Sequence, residues 1–221
     1  MRALTVLLVA GLGAVGTVDA EATSRLMSLS PCTFDGPGQH VEAECGRLPV
    51  PETHFAPTDT EIQLPFVRFK STSSNPATTV IYLAGGPGGS GIGTAKSQRF
   101  HLFMKLREVG DVIVFDQRGT GNAKPAVSCP VEWTMPLDQP ADFDAWTPQV
   151  EAGFSECAAY LRENGITIGH YNTVESAADI DALRRALNLE KVSLWGTSYG
   201  THLAFAAIRY HGAHLDRVIV S

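Results

Sequence analysis

Four short runs, "TTVIYLA" (78–84), "DVIVFD" (111–116), "KVSLW" (191–195) and "DRVIVS" (216–221), are apolar at nearly every position and rich in β-branched residues. Such runs read as strands buried on both faces, which occur in parallel sheets covered above and below by helices. Helical segments are predicted between them. One runs from about Ser97 to Val109, one from Phe154 to Asn164, one from Thr173 to Leu189, and one from Tyr199 to Tyr210. In the third, Thr173 is the expected cap, Glu175 lies in the first turn, and Ile180, Leu183 and Leu187 share a face. The alternation of strand and helix predicts an α/β fold, a mainly parallel sheet with helices on both faces. "EIQLPFVRF" (61–69) alternates like a further strand, and 117–150 carries turn signals throughout.

The strand at 191–195 runs directly into "GTSYG", so Ser198 stands on a sharp corner between a strand and a helix, with Gly196 and Gly200 two residues away on either side. A G-x-S-x-G at such a corner can hold a nucleophilic serine with its Oγ clear of the sheet. A serine that merely caps the helix is the plainer alternative. Acyl transfer also needs N–H donors for the oxyanion. The Tyr199 N–H, at the start of the helix, is one candidate. The other is a backbone N–H of the glycine loop after the 78–84 strand, Gly86 first and Gly85 next.

That loop, "GGPGGSG", also satisfies G-x-G-x-x-G through Gly86, Gly88 and Gly91, and the following strand ends in Asp116, a passable ribose-binding acid. Pro87 removes an N–H from the part that would cradle a pyrophosphate, which argues against a dinucleotide site. "GTAKS" has Ala95 where a phosphate-binding loop needs glycine. No cofactor and no metal are expected. A net charge of −6 supplies no basic face for a nucleic acid.

Residues 1–20 have a different character. Arg2 precedes the apolar run 3–15, and Val18 and Ala20 occupy the small-residue positions before a cleavage site near Ala20. This is the pattern of a secretory signal peptide, too short to span a bilayer, and it implies a secreted or periplasmic protein with no membrane attachment after cleavage. In an oxidising compartment, four cysteines suggest two bridges. Pairing neighbours closes the shorter loops, Cys32 with Cys45 and Cys129 with Cys157. A zinc site is disfavoured because no C-x-x-C or matched histidine pair is present. Residues 21–60 then read as an irregular, disulfide-stapled opening segment, and 61–221 as the N-terminal part of the α/β domain.

Taken together and in this order, "YLAGGPGGSG", "VIVFDQRGTG" and "LWGTSYGTHLA" resemble the α/β-hydrolase fold, and more closely its prolyl and tripeptidyl aminopeptidase branch. "CGRLPVPETH" and "YNTVESAADIDALRRAL" add to the resemblance, which covers residues 30–221. It implies an exported serine peptidase acting on a peptide or small acyl substrate through an acyl-enzyme on Ser198. Asp116 and Arg118 match its D-x-R-G turn and read as a structural pair bracing the loop beside the site. An esterase or lipase-like hydrolase and a non-catalytic remnant are the alternatives.

The family's chain order places an acid and then a histidine after the serine. Past Ser198 only Asp216, His202, His211 and His214 are available, on or just beyond the same helix. None is expected to complete a triad. His40, His54, His101 and His170 have no carboxylate partner visible in the sequence. The chain is therefore expected to be the N-terminal part of a longer hydrolase, without its later strands, lid, and triad acid and base, and to be inactive by itself.

Overall fold

A computed structural model describes residues 27, 29–97, 99–131, 138, 140 and 142–221. The expected signal peptide at 1–20 lies outside the described residues. Seven strands form one sheet in the order β1-β2-β3-β5-β4-β6-β7. They are β1 (Leu29–Gly36), β2 (Gln39–Pro51), β3 (Glu61–Phe69), β4 (Ala77–Leu83), β5 (Gly110–Phe115), β6 (Val192–Gly196) and β7 (Leu215–Val220). The four expected apolar runs are β4 to β7, and all of their mutual pairings are parallel. Strands β1, β2 and β3 extend the sheet antiparallel from β5.

The segment 21–60, expected to be irregular, instead contains the hairpin β1–β2 among its described residues. Its proline, glycine and glutamate content lowers intrinsic strand preference. Tertiary packing overrides that weak preference. Phe34, Val41 and Ala43 turn into one core, and Leu48 and Val50 into the other. The reversal falls at Pro37–Gly38, where Gly38 has a φ of 74°. The Cys32–Cys45 bridge ties the hairpin diagonally, since Cys32 faces Ala43 in the ladder and Cys45 faces Ser30.

Helices cover both faces. On one side α1 (Gly91–Ala95) and α2 (Phe100–Arg107) bring Ala95, Phe100 and Phe103 against Tyr82, Val112 and Val114. On the other, α4 (Thr173–Ala186) and α5 (Tyr199–His211) bring Ile180, Leu183, Leu203 and Ala207 against Ile81, Ile113 and Leu194. Ile81 and Leu83 face one core and Tyr82 and Ala84 the other, as the period-two geometry of a strand covered twice requires.

Between β5 and α4 lies α3 (Phe143–Glu163), which starts well before the predicted Phe154. Asp142 caps it by accepting from the Ala145 N–H at 3.1 Å. Pro148 sits inside it, and the carbonyl it leaves unbonded belongs to the exposed Asp144, which can turn to water. A bridge joins Cys157 on this helix to Cys129, with Cα atoms 5.2 Å apart.

Closing the 13-residue separation between Cys32 and Cys45 removes unfolded-state entropy worth about 3 kcal/mol. Cys32→Ser/Cys45→Ser should therefore lower unfolding stability by about 2–3 kcal/mol in urea titrations. Non-reducing peptide mapping of protein made in an oxidising compartment should recover the 32–45 and 129–157 linked peptides. Four free thiols there would contradict the covalent structure.

Candidate active site

At the carboxyl end of β6 the chain turns through Thr197 and Ser198 into α5. Ser198 has φ 54° and ψ −119°, a conformation that L-residues adopt only under constraint, at a cost of about 1–3 kcal/mol. The flanking glycines explain how the corner closes. A Cβ on Gly200 would run into the Leu83 carbonyl oxygen of the neighbouring strand, and one on Gly196 into the carbonyl of Gly200. Both residues must therefore lack side chains. Ser198 caps no helix N–H, so the plainer reading of a helix cap does not describe it. Its side chain is exposed, and among the described residues its Oγ makes no hydrogen bond.

The corner is held from two sides. The Thr197 N–H donates to the Leu83 carbonyl at 3.2 Å, and the Ser198 N–H to the Ser221 carbonyl at 2.8 Å. The Ser221 N–H returns a bond to the Gly196 carbonyl at 3.0 Å.

The glycine loop that follows β4 lies directly against the serine. A Cβ built on Gly85 would stand 3.0 Å from Ser198 Cβ and 3.6 Å from its Oγ. Gly86 and Gly88 have φ of 121° and 101°, and the Gly86–Pro87 peptide is cis. As the first residue of α5, Tyr199 has an N–H with no acceptor in its own helix. Among the described residues neither this N–H nor that of Gly86 has a hydrogen-bond partner.

Asp116 does not wait for a ribose. Fully buried, it accepts from Ser90 Oγ at 2.5 Å, from the Ile92 N–H at 3.1 Å and from the Asn122 N–H at 2.9 Å. One carboxylate thus ties the glycine loop to the 117–122 turn. Gln117 adds a bond from Nε2 to the Ala84 carbonyl at 3.2 Å, just before the loop.

Arg118 points elsewhere, so the expected Asp116–Arg118 pair does not form. Its guanidinium grips Asp179 of α4 with two bonds of 2.7 Å, and donates to the carbonyls of Glu52 and His170, each at 2.7 Å. Glu175, one turn earlier on α4, accepts from Thr53 Oγ1 at 2.5 Å and from the His54 N–H at 2.8 Å. His54 Nε2 lies 2.8 Å from Asp179, and His170 Nδ1 lies 3.2 Å from Glu52. Both histidines therefore have carboxylate partners, which the sequence reading missed. The pairs join residues 125 and 118 positions apart, and only the folded topology brings them together. Burial, reinforced by the Glu52 charge, pushes the Tyr171 phenol beside this cluster up to about 12, so it stays neutral.

Among the described residues, none of the acid and base candidates after Ser198 makes a hydrogen bond to its Oγ. His202 is exposed on α5 with its ring beside Tyr199, 6.0 Å between centroids. His211 faces Asp181 at 3.9 Å. Asp216 bonds Thr78 Oγ1 at 3.0 Å. Thr78 and Asp216 both lie at the amino ends of parallel strands, whereas the corner is at the carboxyl ends. Four to five residues of strand, roughly 15 Å, separate the two.

A serine raised on such a strand-to-helix corner, at the carboxyl edge of a parallel sheet, is how one large class of hydrolases presents its nucleophile. Comparison with known proteins bears on the same point. Residues 78–221 match the family described as the alpha/beta hydrolase fold, and the chain belongs to that family. The serine protease Hip1 of Mycobacterium tuberculosis is 30% identical over 225 residues, covering 93% of this chain and 42% of that protein. The tripeptidyl aminopeptidase of Streptomyces coelicolor is 29% identical over 189 residues, covering 80% of this chain and 34% of that protein. A probable hydrolytic enzyme from Pseudomonas aeruginosa has a similar fold, with a TM-score of 0.50 at 14% identity, covering 85% of this chain and 42% of that one. The chain thus spans less than half the length of these curated relatives.

Two substitutions probe the local physics. Gly200→Ala forces a methyl group into the Leu83 carbonyl and should cost about 3 kcal/mol of stability in denaturant titrations. Arg118→Ala leaves Asp179 and Glu175 buried without their cation and should cost about 3–5 kcal/mol by the same measurement.

Proposed function

We propose that this chain carries the nucleophile and oxyanion half of a serine peptidase, of the kind that removes residues or short peptides from the amino ends of polypeptides. The observation that carries the reading is the positive-φ corner at Ser198, with its exposed Oγ set against the Gly85–Gly86 loop. The names of the relatives support the choice of peptide bonds over other acyl substrates.

Ser198 Oγ attacks the scissile carbonyl, and the negative charge that develops on its oxygen is met by the N–H groups of Tyr199 and Gly86. In this reading, two such donors held in advance by the backbone lower the barrier without reorganisation in the transition state. The Oγ proton must go to a base and then to the leaving amine. Among the described residues no imidazole is hydrogen-bonded to Ser198 Oγ, and the proposed reading assigns the base and its orienting acid to polypeptide outside these 221 residues. Export fits two disulfides, each of which needs an oxidising compartment to persist. No described helix is long and apolar enough to cross a membrane.

Labelling with a fluorophosphonate probe tests the assignment. A polypeptide that joins this chain to the missing acid and base should label and should hydrolyse aminoacyl or tripeptidyl anilides, and Ser198→Ala should abolish both. The 221 residues alone should do neither detectably. Labelling that survives Ser198→Ala would remove the nucleophile assignment. Strong labelling of the short chain would instead identify a base among its own histidines.

A further inference from the structure

Thr173 was expected to cap α4, but Asn172 does so. Its Oδ1 accepts from the Val174 N–H at 3.0 Å and from the Glu175 N–H at 3.1 Å. The Thr173 hydroxyl is thereby released from local duty, and it shares a hydrogen bond of 2.9 Å with the phenol of Tyr199. Both side chains are half-buried. The bond links the first residue of α4 to the first residue of α5, which follows the nucleophile.

We propose that Thr173 is a positioning residue for the oxyanion site, holding the Tyr199 side chain so that its N–H faces the space beside Ser198. The proposal rests on the reading of Ser198 as nucleophile and of the Tyr199 N–H as a donor. Two features of the geometry carry it.

The first is what the backbone leaves unrestrained. The Ser198 N–H is tied to Ser221, the Gly200 N–H to the Thr197 carbonyl at 2.8 Å, and the Thr201 N–H to the Ser198 carbonyl at 2.9 Å. The peptide plane between Ser198 and Tyr199 is thus held at one point, its carbonyl, about which it can still tilt, while its N–H has no partner of its own among the described residues. With Ser198 held at a φ of 54°, small rotations of that plane change where the N–H points. A tether at the far end of the Tyr199 ring resists them.

The second is the rigidity of the mount. Within the first turn of α4, Glu175 is locked by Thr53 and His54, and one turn further Asp179 is locked by Arg118. The buried charge cluster therefore does more than stabilise the fold. It gives Thr173 a fixed origin from which to hold Tyr199.

The test uses the full chain labelled with ¹⁵N at tyrosine. The protein has five tyrosines, and Tyr199→Phe identifies the Tyr199 amide by its disappearance. Thr173→Val removes the hydroxyl at nearly constant volume, and Thr173→Ser retains it. The expected result is that Thr173→Val shifts and broadens the Tyr199 amide signal while the other tyrosine amides stay in place, and that Thr173→Ser restores it. A Tyr199 amide unmoved by Thr173→Val, even with a lowered melting temperature, would overturn the proposal. So would a change shared by all the tyrosine amides, or one that Thr173→Ser fails to rescue. The measurement needs no turnover, so it stands apart from the probe labelling that tests Ser198 itself.

Discussion

The backbone conformation of Ser198 is the constraint on which the rest of the site depends. A residue with a side chain is held where glycine would be comfortable, and the surroundings must oppose its relaxation. The close approach of Gly200 to the Leu83 carbonyl supplies part of that opposition, because it brings α5 down onto the end of β4. The two-way hydrogen bonding with Ser221 supplies another part. The corner is therefore a property of three adjacent parallel strands. No single turn could maintain it.

A second layer of constraint comes from charges out of water. Asp116 satisfies three donors from two loops, and Arg118 satisfies Asp179 together with the carbonyl oxygens that end β2 and precede α4. Neither works as a simple ion pair. Each is a saturated polar centre that fixes the paths of segments distant in sequence, at the carboxyl side of the sheet. Burying such groups is tolerable because nearly every lone pair and proton has a partner.

The parallel half of the fold was legible because β4, β5 and β6 are apolar on both faces, which leaves an unmistakable pattern. Strand β7 shares that pattern but lies at the sheet edge, where Ile219 and Val220 are exposed and not buried as the run suggested. The corner at Ser198 was legible because glycine is required where backbones nearly touch. The hairpin β1–β2 was not, since its strands gain their order from long-range pairing with β3 and from a disulfide, and Pro49 and Gly46 disguise them. The early start of α3 was hidden by Pro148. The partners of His54 and Arg118 were hidden for a different reason. Asp179 and Glu175 sit in an ordinary helical repeat, and only the packing of α4 against the end of β2 turns them inward.

The bond between Ser198 and Ser221 has a further implication. Any residue joined to Ser221 begins its path within hydrogen-bonding distance of the nucleophile's own backbone. A group carried on a short extension from that point experiences a local concentration in the millimolar range at the corner, without any binding surface of its own. Proton transfer between such a group and Ser198 is then an encounter within one molecule. Its rate would be governed by the length and stiffness of the tether, and dilution of the protein would leave it unchanged.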